Sequence, residues 1–281
     1  MKFAVDVPNF GSYSHPRTMA ELAHEAEEAS WDGFFIWDHM WLGSDKPFVD
    51  PWVALASIAM RTERIRIGAM VTPLARRRPW KLARETVSID HLSNGRLVLG
   101  VGLGAPPESE YGSFGEETDG KIRAQKLDEG IEILTGLWTG NPFSFDGNHF
   151  QVAEVTFNPQ PVQRPRIPVW VAGVWPRKLP FLRASRWDGV YPIISDGFET
   201  DKELGPDDFR DILRFVKLHR ESDQPIDVIK GGSLPSNDKA HASQLLNAYE
   251  DAGVTWWVHG FEDGADMECV KSKIRAGPPR L

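Results

Sequence analysis

Short apolar runs alternate with amphipathic segments along almost the whole chain. The runs at residues 33–37 and 97–101 have the length and composition of buried parallel strands. Between such runs lie segments with helical spacing, of which Pro79–Leu92 begins with a proline and stops at Asn94-Gly95. Strand and helix therefore follow each other in turn, which is the pattern of βαβ units around a parallel sheet.

The same pattern predicts eight strands, each followed by a helix. They cover residues 2–7, 33–37, 65–71, 97–101, 168–173, 188–191, 226–230 and 254–259. An eightfold series in 281 residues most economically closes into an α/β fold of the (β/α)8 TIM barrel type, with a doubly wound open sheet as the alternative. Residues 139–166 break the pattern after the fourth β/α unit, and we expect an inserted excursion there with a hairpin at Asp146-Gly147. Residues 1–281 are predicted to form one domain.

Composition narrows the range of partners. The formal net charge of -8 argues against a nucleic-acid partner, because such proteins usually need a basic face. The lone Cys269 can form neither an internal disulfide nor a cysteine metal cage, which fits a cytoplasmic protein. No apolar run approaches the length needed to cross a bilayer, so we expect no membrane partner.

The residues that follow the predicted strands are mostly glycine, aromatic and neutral polar. In a TIM barrel the ligand binds at these carboxyl ends. The clustered His and Asp of a metal-dependent hydrolase and the paired carboxylates of a glycosidase are not evident there. A flat, largely apolar cofactor with a phosphate tail suits this set of residues better, and we expect no metal site.

Asp38-His39, directly after the second strand, is the sharpest local signal. Histidine titrates near neutral pH and can exchange a proton or a hydrogen bond with a redox cofactor or its substrate, whereas the alternative is a simple cap on the loop before Pro51. His39 is the predicted catalytic residue. Trp41 lies close by in the sequence, and we expect Trp41 and Trp175 to form apolar walls around the cofactor.

Two glycine-containing turns are candidate cofactor contacts. The run from Gly100 to Gly104 lacks the G-x-G-x-x-G spacing, and it favours close approach of a ring system to the backbone instead of a dinucleotide site. The turn from Gly173 to Arg177 offers backbone N–H groups and a guanidinium to a phosphate, with an ordinary strand-to-helix turn as the alternative. Arg76-Arg77-Arg78 is interpreted as an anion-attracting rim or a solvated basic run, and Lys230-Gly231-Gly232 as a lesser phosphate candidate. Arg123, Asp128 and Glu129 are interpreted as surface or barrel-base ion pairs without a chemical role.

Several of these stretches resemble the luciferase-like monooxygenase superfamily, whose members use reduced FMN or the deazaflavin F420. The strongest are Phe35-Ile36-Trp37-Asp38-His39, residues 71–104, 130–138 and 169–173, and Trp256-Trp257 with the ending at residues 275–279. The resemblance implies a barrel with the isoalloxazine across the strand ends, a histidine after strand two that His39 matches, and a non-proline cis peptide at Met70-Val71 or one bond earlier. Leu103 stands where bacterial luciferase has an arginine that helps to hold the FMN phosphate. Glu108 and Glu110 are imperfect candidates for the glutamate that F420 reductases carry in the following loop.

Together these observations predict a flavin- or F420-dependent oxidoreductase, a monooxygenase or reductase, that acts on a small organic substrate. The Asp38-His39-Met40-Trp41 stretch favours F420 over FMN, and the resemblance makes a homodimer plausible. The predicted cofactor-binding residues are Asp38, Trp41, Met70, Val71, Thr72, Gly102, Gly104, Gly173, Val174, Trp175 and Arg177. The alternatives are a catalytically idle flavin-binding barrel and a metal-dependent hydrolase barrel that uses His39 with Asp38.

Overall fold

Eight parallel strands close into a barrel in the computed structural model, which describes residues 1–194, 203–234 and 238–279. The barrel strands are β1 (Lys2–Val7), β2 (Gly33–Ile36), β3 (Arg66–Pro73), β4 (Leu97–Gly102), β7 (Val169–Val174), β8 (Gly189–Ile193), β9 (Asp227–Gly231) and β10 (Trp256–Gly260), and β5 (Phe143–Asp146) and β6 (Gln151–Val155) form a separate pair. Closure is complete because β1 pairs in parallel with both β2 and β10. The TIM barrel is confirmed, and the open-sheet alternative is wrong.

Helices cover the outside of the barrel. They are α1 (Pro16–Glu28), α2 (Pro51–Arg61), α3 (Pro79–Leu92), α4 (Pro107–Glu110), α5 (Gly120–Trp138), α6 (Lys178–Ala184), α7 (Pro206–His219), α8 (Lys239–Asp251) and α9 (Met267–Arg275). The short helix α4 lies in the loop between β4 and α5, where the sequence pattern predicts no element. None of the helices in the described ranges combines the length and apolar character that crossing a bilayer requires.

The strands are buried on both faces, and their alternation separates two clusters. Phe3, Val5 and Val7 of β1 pack in the large outer cluster against the helices, whereas Ala4 belongs to a smaller cluster inside the barrel. Because side chains alternate along a strand, Asp6 points to the same interior side as Ala4. The inner cluster fills the barrel interior with large side chains. A ligand therefore has room only at the carboxyl ends of the strands, which we call the top of the barrel.

The predicted excursion contains a hairpin outside the barrel. Strands β5 and β6 are antiparallel, and the Gly147 N–H donates to the carbonyl of Phe150 across the turn (2.9 Å). The Glu129 carboxylate accepts the backbone N–H groups of Asn148 (2.9 Å) and His149 (3.0 Å), which ties the hairpin to α5. The hairpin at Asp146-Gly147 is confirmed, and the interpretation of Glu129 as an ion-pair residue is wrong.

Strand β3 departs from regular geometry next to the cavity described below. It ends at Pro73, two residues later than predicted, and its register against β4 shifts between Ala69 and Thr72. The peptide bond between Met70 and Val71 is cis, at the first of the two positions that the resemblance implies.

Candidate functional site

A cavity of about 560 Å³ opens at the carboxyl ends of the barrel strands. This volume lies within the range of small-molecule and cofactor sites, roughly 300–1,000 Å³. Most of the predicted site residues line it: Asp38, His39, Met70, Val71, Gly102, Gly104, Gly173, Val174 and Arg177. The inner cluster closes the cavity from below, since Met70 and Val258 belong to both. The structure therefore brings predicted residues from the ends of four strands, β2, β3, β4 and β7, into one pocket wall.

Three predicted residues, Trp41, Thr72 and Trp175, are not part of this wall. Thr72 is fully buried in register with Val101, whose side chain packs in the outer cluster. Trp175 packs edge-on against Phe181 of α6, with ring centroids 5.1 Å apart. The prediction that Trp41 and Trp175 form the aromatic walls is therefore not supported, and Trp37 is the tryptophan that lines the cavity.

Asp38 is held by two arginines. Its carboxylate accepts from Arg76 Nη2 (2.5 Å) and from Arg77 Nη2 (2.7 Å), and the same Arg76 nitrogen also reaches the Asp38 carbonyl (2.6 Å). The side chains of Asp38 and Arg76 are almost fully buried (0% and 1% exposed). Asp38 therefore positions the loop after β2, and its carboxylate oxygens are engaged by arginine.

Glu110, on α4, connects this ion pair to His39. One carboxylate oxygen lies 2.9 Å from His39 Nδ1, and the other accepts from Arg76 Nη1 (2.5 Å). The backbone N–H of Met40 also donates to Glu110 (3.2 Å). Burial opposes the charge of Arg76, but the carboxylates of Asp38 and Glu110 outweigh it and raise the pKa of that guanidinium. Of the two glutamate candidates from the sequence, the structure selects Glu110 as the partner of His39.

This arrangement fixes the tautomer of His39. An ionised carboxylate only accepts hydrogen bonds, so Nδ1 carries the proton that it donates to Glu110. Nε2 is then the nitrogen at which neutral His39 can accept a proton. A histidine oriented by a buried carboxylate on a cavity wall can serve as a general acid or base.

The sequence interpretation of the arginine run is wrong for Arg76. Arg76 ends a 3-10 turn, Leu74–Arg76, directly after β3, and this turn directs its side chain inward, toward the loop after β2. A buried guanidinium needs partners for its charge, and two carboxylates supply them. The sequence signal that could have found it is the presence of two acidic residues, Asp38 and Glu110, in the loops after β2 and β4, the two strands that flank β3.

The turn between β7 and α6 differs from the predicted phosphate cradle. The Trp175 N–H donates to the Ile193 carbonyl (2.9 Å) and the Arg177 N–H to the Val174 carbonyl (3.0 Å), and Pro176 has no N–H. These backbone donors are used within the protein. The guanidinium of Arg177 lines the cavity and remains the predicted phosphate contact in this turn.

Glycines at the strand ends are required by protein packing as well as by space for a ligand. A Cβ on Gly173 would lie 2.3 Å from Cβ of Pro180, and a Cβ on Gly102 would lie 2.7 Å from Cγ2 of Val71. Gly104 has a φ of +74°, which favours glycine. The sequence explanation, close approach of a ring to the backbone, is thus incomplete at these positions.

Two further basic residues at the cavity have structural partners. Arg123, predicted to lie in a surface or barrel-base ion pair, instead donates to the carbonyls of Leu103 (2.9 Å) and Gly104 (3.0 Å) and fixes the loop after β4. Lys230 is buried, donates to the Gly231 carbonyl (2.5 Å) and lies 3.6 Å from the carboxylate of Glu203. Burial lowers the pKa of Lys230, while Glu203 acts in the opposite direction.

Asp128 is the one residue of the predicted ion-pair group that the structure places in an ion pair. Its carboxylate accepts from Arg183 (2.6 Å), which is buried and lines the cavity, and from the exposed Arg186 (3.2 Å).

The family model for luciferase-like monooxygenases matches residues 1–206 of the chain. The chain belongs to the luciferase-like monooxygenase family. His39 and most of the residues that line the cavity lie within the matched range, whereas the cavity residues of β9 and β10 lie outside it. The resemblance given by the sequence motifs is confirmed.

Similarity to individual members of the family is more distant. The F420-dependent glucose-6-phosphate dehydrogenase of Amycolatopsis mediterranei is 32% identical over 166 residues, which are 57% of this chain and 49% of that protein. The chain thus spans about half the length of the curated relatives it matches.

Two solved structures share the fold over nearly the whole chain. An F420-dependent secondary alcohol dehydrogenase in complex with an F420-acetone adduct has a TM-score of 0.78 at 15% identity, with 99% of this chain and 98% of that chain covered. The oxygenating constituent of 3,6-diketocamphane monooxygenase from Pseudomonas putida, in complex with FMN, has a TM-score of 0.66 at 16% identity, with 97% and 83% covered.

Proposed function

We propose that this luciferase-like barrel is an oxidoreductase that oxidises or reduces a small organic substrate with a flavin or deazaflavin cofactor. Of the two candidate cofactors, F420 and FMN, we propose F420. The observation that carries the proposal is His39 on the cavity wall with Nδ1 held 2.9 Å from the buried Glu110 carboxylate. Redox chemistry at a flavin or deazaflavin needs a proton donor or acceptor beside the reacting atoms, and a histidine with a fixed tautomer supplies one.

The residues of the cavity suit a planar ring with an anionic tail. Met70, Val71 and Gly102 give an apolar wall on the β3–β4 side, and Arg177 adds a cation at the rim. These residues would hold the ring face and the phosphate, respectively. When bound, the cofactor supplies the hydride or oxygen chemistry. The relative from Amycolatopsis and the dehydrogenase structure are F420 proteins by name, which supports F420.

The metal-dependent hydrolase is disfavoured by the surroundings of Asp38. A metal ligand needs a free oxygen lone pair, but Arg76 and Arg77 bind the Asp38 carboxylate (2.5 and 2.7 Å). Within the described ranges, the group of side chains close enough to share an ion is His24, Glu27 and Glu28 on α1, outside the cavity. There the Glu27 carboxylate already caps the backbone N–H groups of residues 63–65.

Fluorescence titration of the purified chain with FMN and with F420 tests the proposal. We expect saturable quenching by F420, and absence of quenching by both cofactors would refute the proposed function. Assays with a panel of alcohols, sugar phosphates and ketones then separate an enzyme from an idle flavin-binding barrel, which would bind the cofactor and give no turnover.

The His39→Ala variant tests the role of the histidine. Turnover should fall by roughly 10²–10⁴-fold, the usual contribution of a general acid or base, while the Kd for the cofactor stays within about threefold. His149→Ala, on the external hairpin, is the matched control and should keep full activity. Equal turnover in the two variants would remove His39 from the mechanism. A cytoplasmic location and a homodimer stay predictions.

A further inference from the structure

Asp6 is a buried acid in the cavity that the chemistry of His39 does not use. It lies near the end of β1, is 5% exposed and lines the cavity. Its Oδ2 accepts from Trp37 Nε1 (2.8 Å), and its Oδ1 has no hydrogen-bond partner among the described residues. Burial raises the pKa of Asp6 to about 8, although the hydrogen bonds from Trp37 and from the Val7 backbone lower it. At neutral pH Asp6 is therefore mainly a neutral carboxylic acid with an O–H to donate.

Tyr191 places a second hydroxyl in the same part of the cavity. Its ring packs against the inner cluster, and the residue lines the cavity from β8. Burial raises the pKa of Tyr191, and the nearby charge of ionised Asp6 raises it further. The hydroxyl lies against Gly231, where a Cβ would be 2.6 Å from it. None of the hydrogen bonds between described residues involves this hydroxyl.

Both groups are thus neutral O–H donors at the cavity. Asp6 is buried and Tyr191 is partly buried, and neither O–H has an acceptor among the described residues. Buried polar groups without partners cost free energy, and native proteins seldom keep them unless a ligand or water completes the hydrogen bonds. Lys230, by contrast, has the Gly231 carbonyl and Glu203. The two hydroxyl groups are therefore the unsatisfied donors of this wall, opposite the apolar β3–β4 side.

We propose that Asp6 and Tyr191 form a donor pair that binds one carbonyl oxygen of the bound reactants and stabilises the negative charge this oxygen gains during reduction. Two oriented neutral donors in an apolar site can stabilise such charge, as a tyrosine and a protonated aspartate do in other enzymes. The carbonyl belongs to the substrate or to the pyrimidine edge of the cofactor. The inference rests on the proposed function for the redox step, but the donor pair itself can be tested by binding alone.

Tyr191→Phe and Asp6→Leu remove one donor each, and Asp6→Asn keeps an N–H donor in place of the O–H. Tyr13→Phe is the matched control, because Tyr13 is a buried tyrosine that lies outside the cavity and makes a single long hydrogen bond to the Glu262 carbonyl (3.4 Å). Thermal denaturation confirms that each variant is folded before its binding is measured.

Titration with F420 and FMN is the first arm. If the carbonyl is on the cofactor, Tyr191→Phe and Asp6→Leu should each weaken binding of the cofactor by about tenfold, as expected for one buried hydrogen bond, and Asp6→Asn by less. The second arm uses cyclohexanone as the probe, with cyclohexane as the control without a carbonyl. If the carbonyl is on the substrate, cofactor binding is unchanged and ketone binding to the cofactor-loaded protein weakens by about tenfold in the same variants.

Infrared difference spectra of wild type and Asp6→Asn give a readout that needs no ligand. We expect the band of a protonated carboxyl at neutral pH in the wild type and its loss in the variant. An ionised Asp6 at this pH overturns the proposal. So does a Tyr191→Phe variant that matches Tyr13→Phe in both binding arms. If the wild type binds neither cofactor, the proposed function has failed. Cyclohexanone binding and the infrared spectra are then measured on the cofactor-free protein, and they still decide on the donor pair.

Discussion

Replacing Glu110 by glutamine is the sharpest perturbation of the candidate site. The amide has the shape of the carboxylate but carries no charge and has one donor end. In the wild type, both carboxylate oxygens receive donors, since His39 Nδ1, Arg76 Nη1 and the Met40 N–H all point to them. In Glu110→Gln the amide oxygen should turn toward Arg76 and Met40, which can only donate. The amide NH₂ then faces His39 Nδ1 and forces the proton to Nε2.

The structure sets the size of the two effects. Hydrogen bonds to charged groups contribute about 1.5–3 kcal/mol, and breaking a buried ion pair costs roughly 3–5 kcal/mol. Arg76 keeps Asp38 as a partner, so we expect a loss of about 2–3 kcal/mol, or about 3–5 °C in Tm for a domain of this size. The reversed tautomer of His39 should reduce turnover by roughly 10²–10⁴-fold.

Denaturation curves, cofactor titrations and steady-state kinetics measure these effects separately. Glu129→Gln is the matched control, because Glu129 also accepts several backbone N–H groups but lies at the hairpin outside the cavity. We expect Glu110→Gln to bind the cofactor nearly as the wild type does, with lower Tm and much lower turnover, and Glu129→Gln to keep its turnover. Wild-type turnover in Glu110→Gln would refute the view that this carboxylate fixes the proton of His39.

Three further predictions follow from single residues. Arg177→Ala should weaken cofactor binding by about tenfold, with a smaller salt dependence of the Kd than in the wild type, and an unchanged Kd would exclude Arg177 as the phosphate contact. Gly173→Ala should cost about 1–3 kcal/mol in urea denaturation because its Cβ would overlap Pro180, whereas Gly120→Ala, with open space around it, should not destabilise the chain. Burial raises the pKa of Asp6 to about 8 from its ordinary value of 3.8, so the folded chain keeps a proton that the unfolded chain releases between these values. The wild type should therefore lose stability as pH rises from about 4 to about 8, and Asp6→Asn should lose less; parallel urea-denaturation profiles of the two proteins would contradict the raised pKa.

The fold could be predicted because most strands are largely apolar runs and the longer helices have their own signals. The run at residues 97–101 is buried on both faces, and Pro79 and Gly95 mark the limits of α3. These signals are local, so one sequence suffices to read them. The register shift in β3 depends on its pairing with β4, and the apolar pattern carries no mark of it.

The candidate site was predictable where a residue follows its strand directly, as His39 does. It was not predictable where a partner comes from another element. The three consecutive arginines from Arg76 have the pattern of a solvated run, yet the 3-10 turn after β3 buries the first of them against Asp38. Glu110 depends in the same way on α4, which is too short to leave a periodic pattern.

The position of Asp6 shows how far strand alternation alone can go. Lys2, Ala4 and Asp6 share one side of β1. Once a barrel is assumed, this alternation places Asp6 on the same interior side as Ala4. In an open sheet the same side of β1 would pack against a helix. Asp6 would then be interpreted as a residue at the sheet edge, near solvent. Only closure brings β8 round to face β1 across the interior. Only then can the charge of ionised Asp6 raise the pKa of Tyr191, and only then can the two side chains share a ligand. A site that joins side chains from distant strands depends on closure of the barrel. It can therefore be predicted from the sequence only after the number of strands has been decided.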